Sequence, residues 1–306
     1  MGNVLSIIIV SWNTRALLRN CLTSLLEALP AQQTEVWVVD NASSDGSVQM
    51  IREEFSGVHV IANVNNGGFA AGNNQILPFC TGQYILLLNP DTVVKPGALQ
   101  GMLDYLEAHP ETGAVGPRLL NGDGSFQLSV FPFPTLSREL WRLLHLDRLA
   151  SYALYDLNRW DLSTTHEVDS IQGACLMIRR AVVEKVGLFD ADYFLYSEEI
   201  DLCYRIQKAG WSLVWLPQVV VIHLGGQSAQ QEARKSFLNL YRGKVLFFRK
   251  HYGNAQALAY RGVLAFTALA RLAVTPLVWL EPASRRDAHL KLAGNYLYLL
   301  KAIPGL

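Results

Sequence analysis

Tyr84-Ile85-Leu86-Leu87-Leu88-Asn89-Pro90-Asp91 decides how the rest of this chain is read. A continuous apolar run closed by turn residues is the pattern of a parallel strand buried on both faces. Open α/β sheets bind their ligands at the carboxyl ends of such strands, and Asp91 puts a hard oxygen ligand there. A metal-held diphosphate is expected at that edge.

Upstream, Leu5 to Val10, Val36 to Val39 and Val58 to Ile61 are further short runs rich in β-branched residues. Helix-period stretches fill the gaps: Arg15 to Leu29, opened by Asn13-Thr14 and stopped by Pro30; one ending near Phe55 after the Ser43-Ser44-Asp45-Gly46 turn; and one from Phe69 to Ile76. Such alternation implies right-handed crossovers and an α/β fold: a Rossmann-like, mostly parallel central sheet with helices on both faces. Asn13, Asp40 and Asp91 then share one functional edge. Downstream the fold is expected to become mixed, because Asn121-Gly122-Asp123-Gly124 reads as a hairpin turn. Val130 to His166 has no clean strand period and suits a lid or acceptor-side insertion. Strand residues Ser170 to Ile178 follow, then helices from Ala181 and Ser197 and strands near Leu213 and Val219.

At 306 residues, half of them hydrophobic, the chain can bury one large core and a smaller appendage. Its four cysteines have no Cys-x-x-Cys spacing and suit buried, reduced thiols. The start, Met1-Gly2-Asn3-Val4-Leu5-Ser6, lacks the basic and apolar regions of an export signal, so a cytoplasmic place is expected. Charge balances overall but not locally: Met1 to Ala233 carries 14 basic and 24 acidic residues, and Arg234 to Leu306 carries 12 and 2.

Four features carry candidate chemistry, each beside a plain structural reading. Asp40-Asn41 and the following turn are ordinary loop and cap residues. A carboxylate just past a strand is also an acceptor for the ring N–H of uracil or thymine. Asn89-Pro90-Asp91 is turn chemistry too, but its place after a buried strand favours cation binding beside a diphosphate. Ser197-Glu198-Glu199-Ile200-Asp201 opens a helix whose acids suit the macrodipole with Ser197 as cap. Three acids in four positions also supply candidates for a general base. His223 ends the run Val219 to Ile222, where an imidazole is either a hydrogen-bonded structural group or a ligand that, with Asp91, suits Mn2+ better than Mg2+.

The order of these blocks resembles family 2 inverting glycosyltransferases of GT-A fold, in particular their rhamnosyltransferase-like branch. The resemblance runs from about Leu5 to Ser228. It rests on Ile9-Val10-Ser11-Trp12-Asn13, Val39-Asp40-Asn41-Ala42-Ser43-Ser44-Asp45-Gly46-Ser47, Asn65-Asn66-Gly67-Gly68-Phe69-Ala70-Ala71-Gly72-Asn73-Asn74 and Leu88-Asn89-Pro90-Asp91. Gly173-Ala174-Cys175-Leu176-Met177-Ile178-Arg179-Arg180, Glu198-Glu199-Ile200-Asp201-Leu202-Cys203-Tyr204-Arg205 and His223-Leu224-Gly225-Gly226-Gln227-Ser228 complete it.

The resemblance implies a metal-dependent hexosyltransferase with a nucleotide-diphosphate sugar donor, TDP-rhamnose or a UDP-sugar, and a glycan or lipid-linked acceptor in envelope or polysaccharide synthesis. It implies Asp40 on the pyrimidine, with Ser11, Asn13 and Asn41 lining its pocket. Gly68 allows close approach to the donor, Asn74 hydrogen-bonds it, Asn89 and Asp91 face the diphosphate, and Gly173 and Ala174 line the sugar pocket. Asp91, helped by His223, holds a divalent cation, Mn2+ or Mg2+. The base falls to Glu199, with Glu198 and Asp201 as alternatives, since the family usually has Asp where this chain has Glu199. Its Asp-x-Asp is here Asn89-Pro90-Asp91. The implied domains are a catalytic one over 1–228, with the insertion over 131–166, and a basic, apolar helical region over 229–306.

Between Arg234 and Leu280 lie eight basic residues and no acidic one, interleaved with aromatics at helical spacing. That suits peripheral contact with an anionic membrane face. Gly262 to Leu280 is nearly long enough to span a bilayer, but Arg271 and Pro276 interrupt it. No nucleic-acid-binding motif is present. Two rival functions are a sugar-nucleotide pyrophosphorylase, against which the first strand lacks a glycine-rich, Arg-containing loop, and a non-catalytic nucleotide-sugar-binding scaffold, which has no need of Asp91, His223 and Glu199 together.

Overall fold

The structure is a computed structural model that describes residues 4–30, 33–225, 233–276 and 283–306. Two compact units appear: Met1–Phe133, Asp156–Phe194 and Glu198–Gln231 form the first, and Pro134–Tyr155, Leu195–Ser197 and Glu232–Leu306 the second.

In the first unit β1 (Leu5–Ser11), α1 (Arg15–Glu27), β2 (Thr34–Asp40), α2 (Ser47–Glu54), β3 (Val58–Ala62), α3 (Phe69–Ile76) and β4 (Tyr84–Leu88) alternate as the periodicities predict. Then come β5 (Thr92–Val94), α4 (Ala98–Ala108), β6 (Thr112–Leu120), β7 (Phe126–Gln127) and β8 (Val130–Phe131). In the second unit, residues Leu136–Leu143 form α5. The first unit resumes with β9 (His166–Glu167), β10 (Ser170–Ile171), β11 (Cys175–Arg179), α6 (Arg180–Val186), α7 (Glu198–Lys208) and β12 (Ser212–His223).

The main sheet runs β3-β2-β1-β4-β11-β6-β12-β5, with β7 on β6 and β9 on β12. Strands β3, β2, β1 and β4 are mutually parallel, and β11 is antiparallel to both β4 and β6. β12 is parallel to β6 and antiparallel to β5. One sheet face buries Ile7, Ile9, Leu86, Leu88, Val115, Leu119 and Val221 under α1 and α4 residues such as Leu22 and Leu99.

Several expectations change in detail. The strand foreseen over Ser170 to Ile178 is two: β10 pairs with β8 in a separate small sheet, and β11 enters the main one at Cys175. The strands foreseen near Leu213 and Val219 are one, whose register to β6 shifts between Leu216 and Val220. Pro217 explains the shift, because proline has no N–H for the ladder. Thr14 precedes α1 without a side-chain cap; Asp45 Oδ2 accepts from Arg15 N at 2.7 Å instead. All four cysteines are buried and free.

In the second unit α5 packs with α8 (Ala233–Tyr252) and α9 (Asn254–Val274), while α10 (Ala283–Ala302) closes the group. Leu143, Tyr241, Phe248, Tyr260, Leu264 and Leu299 form its core. Residues 134–155, expected as part of an insertion in the catalytic domain, therefore share a core with the C-terminal helices.

Candidate functional site

The strand register brings the predicted residues to one edge. Ser11 closes β1 opposite Asp40 of β2, and Ile9 pairs with Leu88 of β4, so Asn89 and Asp91 leave the sheet beside them. On the other side Leu88 pairs with Cys175, and Asn89 N donates to Ala174 O at 2.9 Å. Gly173 lies next to Ala174, and a Cβ built on it meets Glu199 Cβ at 3.5 Å. β5 pairs with the end of β12, matching Thr92 with His223, and Leu224 N donates to Asp91 O at 2.9 Å. Asp91, His223, Gly173 and Glu199 thus lie along one continuous rim of the first unit.

Asp91 and His223 are both buried, with Asp91 Oδ1 and His223 Nε2 3.3 Å apart. Asn89 Nδ2 is 3.4 Å from the same nitrogen. The ring's other nitrogen, Nδ1, is 2.7 Å from Gln127 Oε1. Gln127 Nε2 donates to His223 O and to Asn121 Oδ1, which fixes the amide's orientation and makes Oε1 an acceptor. His223 Nδ1 therefore donates to Gln127 Oε1, and that hydrogen bond fixes the ring with Nε2 toward Asp91. A carboxylate and an imidazole so arranged fit a divalent cation of the Mn2+ type, the remaining ligands coming from phosphate and water. Among the described residues no group of three or more His, Cys, Asp or Glu stands ready to hold a metal.

At the β2 end Asp40 is 1% exposed; Oδ1 accepts from Ser43 N at 2.8 Å, and Oδ2 is buried without a hydrogen-bond partner among the described residues. A buried carboxylate oxygen left unsatisfied is costly unless something donates to it. Its neighbours are committed to the scaffold. Asn41 Nδ2 donates to Gly68 O, and Asn41 Oδ1 accepts from Asn63 Nδ2. Asn13, at φ 51°, accepts from Ser44 N and donates its backbone N–H to Ser43 Oγ. Ser11 Oγ is paired with Thr14 Oγ1 at 2.9 Å.

Two residues expected on the donor side make contacts within the protein. Asn74 clasps the backbone of Phe189 with both amide atoms, Nδ2 to O at 2.7 Å and N to Oδ1 at 3.0 Å. Gly68, at φ +88°, admits Phe194 O to 2.5 Å from where a Cβ would stand. Through these two residues the Asn65 to Asn74 block fastens the 189–194 loop.

The three acids of α7 separate by environment. Asp201 is ion-paired with Arg205 at 2.7 Å, and Arg205 also donates to the carbonyls of Val186 and Leu188. That pairing commits the Asp201 carboxylate to Arg205. Glu198 is buried, its Oε2 lacks a hydrogen-bond partner, and burial first and the Glu199 charge second push its carboxyl well above the usual range. Glu199 is half-buried and stands beside Gly173. Ser197 does not cap the helix: at φ 70° it is outside the extended cap conformation, and its Oγ makes no hydrogen bond among the described residues. Gln127 was not foreseen, because an amide in a two-residue strand has no sequence signal of its own. Its pairing opposite Leu119 follows from the Asn121 to Gly124 turn.

A mixed, mostly parallel sheet flanked by helices, with a buried carboxylate, an Asp–His pair and a helix opening on two glutamates at its carboxyl edge, is of the α/β class called the GT-A fold. Residues 6–187 match Glycosyl transferase family 2, and the chain belongs to that family of glycosyltransferases. It is 26% identical over 312 residues to N-acetylglucosaminyl-diphospho-decaprenol L-rhamnosyltransferase of Mycobacterium tuberculosis, covering 95% of this chain and 98% of that one. It is 27% identical to rhamnosyltransferase WbbL of Escherichia coli over 71% of this chain and 83% of the relative. Among solved structures, the mannosyltransferase PcManGT of Pyrobaculum calidifontis, in complex with GDP-Man and Mn2+, superposes with a TM-score of 0.60 at 18% identity, covering 99% of this chain and 86% of that one. This last likeness shows the shared fold.

Proposed function

We propose that this glycosyltransferase moves a sugar, rhamnose in the first instance, from a TDP- or UDP-linked donor to a hydroxyl of a lipid-linked glycan, with inversion at the anomeric carbon. The observation that carries the reading is the Asp91–His223 pair, 3.3 Å apart and held by Gln127, on the same rim as Glu199. Asp40 Oδ2 accepts the N3–H of the pyrimidine, a donor that adenine lacks at the matching place. Asp91 and His223 hold a divalent cation, which when bound neutralises charge on the departing diphosphate. Glu199 takes the proton from the acceptor hydroxyl as the hydroxyl attacks opposite the leaving group. Glu198, retaining its proton, and Asp201, paired with Arg205, are left out of that step.

The Mycobacterium tuberculosis relative's name supports the acceptor class, an N-acetylglucosaminyl-diphospho-prenol; a role in envelope glycan synthesis at the cytoplasmic face of the inner membrane is proposed with it. Peripheral membrane contact is proposed through α9, which carries exposed Leu258, Phe266 and Leu269. α9 is long and apolar enough to cross a membrane by length and composition, with mean hydropathy 1.4. Arg271 within it, however, donates to Leu143 O inside the second unit.

The test is a panel of TDP- and UDP-sugars incubated with Mn2+ and an N-acetylglucosaminyl-diphospho-prenol, following nucleotide-diphosphate release and the anomer formed. Acceptor-dependent release with an inverted product is expected. Release from no donor, a retained anomer, or Asp91→Ala turning over like the wild type would defeat the proposal.

A further inference from the structure

Arg118, Leu120, Phe126, Leu157, Trp160 and Leu162 line a cleft of about 410 Å³ in the first unit. Alternation along the strands places it. Leu119 pairs with Gln127, whose side chain holds His223, so Arg118 and Leu120 project to the opposite face of the sheet. That face carries Trp215, with Phe126 and Trp160 edge-on to it at 6.3 and 5.7 Å between ring centroids. α7, which opens on Glu198 and Glu199, packs against β10 and β12. A Cβ on Gly116 would meet Ile171 of β10 at 2.3 Å; Gly116 pairs with Trp215, which puts β10 on the cleft's face as well.

The cleft's chemistry is one-sided. Arg118 has no hydrogen bond or ion pair from its side chain among the described residues, and its Nε is buried. A guanidinium left without a partner beside apolar walls is a place for an anion, most strongly a phosphate met by its fork of donors. No lining side chain carries a hydrogen-bond acceptor, whereas three leucines, a phenylalanine and a tryptophan supply apolar surface. Sugar hydroxyls find no side-chain acceptor in such a lining. A hydrocarbon chain incurs no such cost and gains from burial.

We infer that the Arg118 cleft binds the phosphate-bearing end of a prenyl chain, so that a lipid-linked acceptor is gripped through its diphosphate and first isoprene units. This rests on the transferase reading for its purpose but not for its measurement. The probe is farnesyl diphosphate, titrated into the full chain in EDTA so that no cation bridges it to Asp91, with inorganic diphosphate and farnesol as parallel arms and tryptophan fluorescence and calorimetry as readouts. Farnesyl diphosphate is expected to bind more tightly than either arm. Arg118→Ala should weaken it by about ten- to hundredfold, the effect of losing charge-assisted hydrogen bonds. Arg118→Lys should retain some of the affinity, and Asp91→Ala should bind as the wild type does. Equal binding of inorganic diphosphate, no binding of farnesyl diphosphate, or an Arg118→Ala chain of native circular dichroism that binds it unchanged overturns the inference. Failure of sugar transfer with farnesyl diphosphate still bound through Arg118 would instead count against the transferase reading alone.

Discussion

At the scale of single residues, two glutamates adjacent in sequence sit in different surroundings, Glu198 buried and Glu199 half-buried beside Gly173. Burial and the neighbouring charge keep a proton on Glu198 above the ordinary carboxylate range, so an amide in its place changes little. Glu198→Gln is expected to keep transfer within a few-fold, whereas Glu199→Gln loses about 10²-fold or more, the share of a general base; steady-state rates on both variants check this, and equal losses would contradict it. Gln127 acts through another residue. With Leu in its place nothing holds the His223 ring with Nε2 toward Asp91, and Mn2+ affinity is expected to fall about ten- to hundredfold while the melting temperature moves little. Electron paramagnetic resonance of Mn2+ titrated with UDP reads that loss directly, and Gln127→Glu, which keeps the acceptor oxygen, should recover much of it. That Asp40, Asp91 and His223 fall at strand ends and the acidic pair at a helix start was legible from sequence, since such places have recognisable punctuation. Which acid is committed to Arg205, and which amide orients the histidine, was not legible, because those partners meet only through the fold.

At the scale of elements, local pattern served the parallel half of the sheet best. α3 begins and ends at Phe69 and Ile76, as periodicity predicts, and β1 to β4 fall where apolar runs stand. α4 is not among the elements expected, although Leu99, Met102, Leu103 and Leu106 are buried at helical spacing. β11 and β12 diverge for physical reasons: Gly173 and Ala174 divide a continuous run into two strands, and Pro217 shifts a single strand's register without ending it. The glycines before α3 were read as making room for a ligand, but the room at Gly68 is filled by Phe194 O, which also accepts from Phe69 N at 2.9 Å. Gly68→Ala combines a left-handed φ with a backbone clash. A loss of about 2 kcal/mol or more is expected from urea unfolding. Because the same contact fixes the loop running into α7, activity should fall further than the unfolded fraction accounts for. A fully stable, fully active Gly68→Ala would show that the loop is held by other means.

At the scale of the whole molecule, the contrast between an acidic N-terminal stretch and a basic C-terminal one does not translate into a freely charged second unit. Glu139 of α5 is buried and accepts from Lys244 of α8 at 2.7 Å and from Tyr260 of α9 at 3.0 Å, while Arg142 pairs with it at 2.8 Å. No local pattern announces this, since Glu139 and Lys244 are 105 positions apart. Burial alone would raise the Glu139 carboxyl, but the charges of Lys244 and Arg142 outweigh it and bring it down to about 2, from 4.5 when unfolded. The folded pKa is the lower one, so the stabilisation is fully present above pH 4.5 and drains away as pH falls toward 2. Glu139→Gln strands two cations beside a neutral amide and is expected to cost about 3–5 kcal/mol near neutrality, as breaking a buried pair does. Its helical circular dichroism should show a smaller fall in stability between pH 4.5 and 2 than the wild type's, because the group that titrates there is gone. Parallel acid-unfolding curves for the two chains would argue that Glu139 holds the helices together by shape rather than by charge.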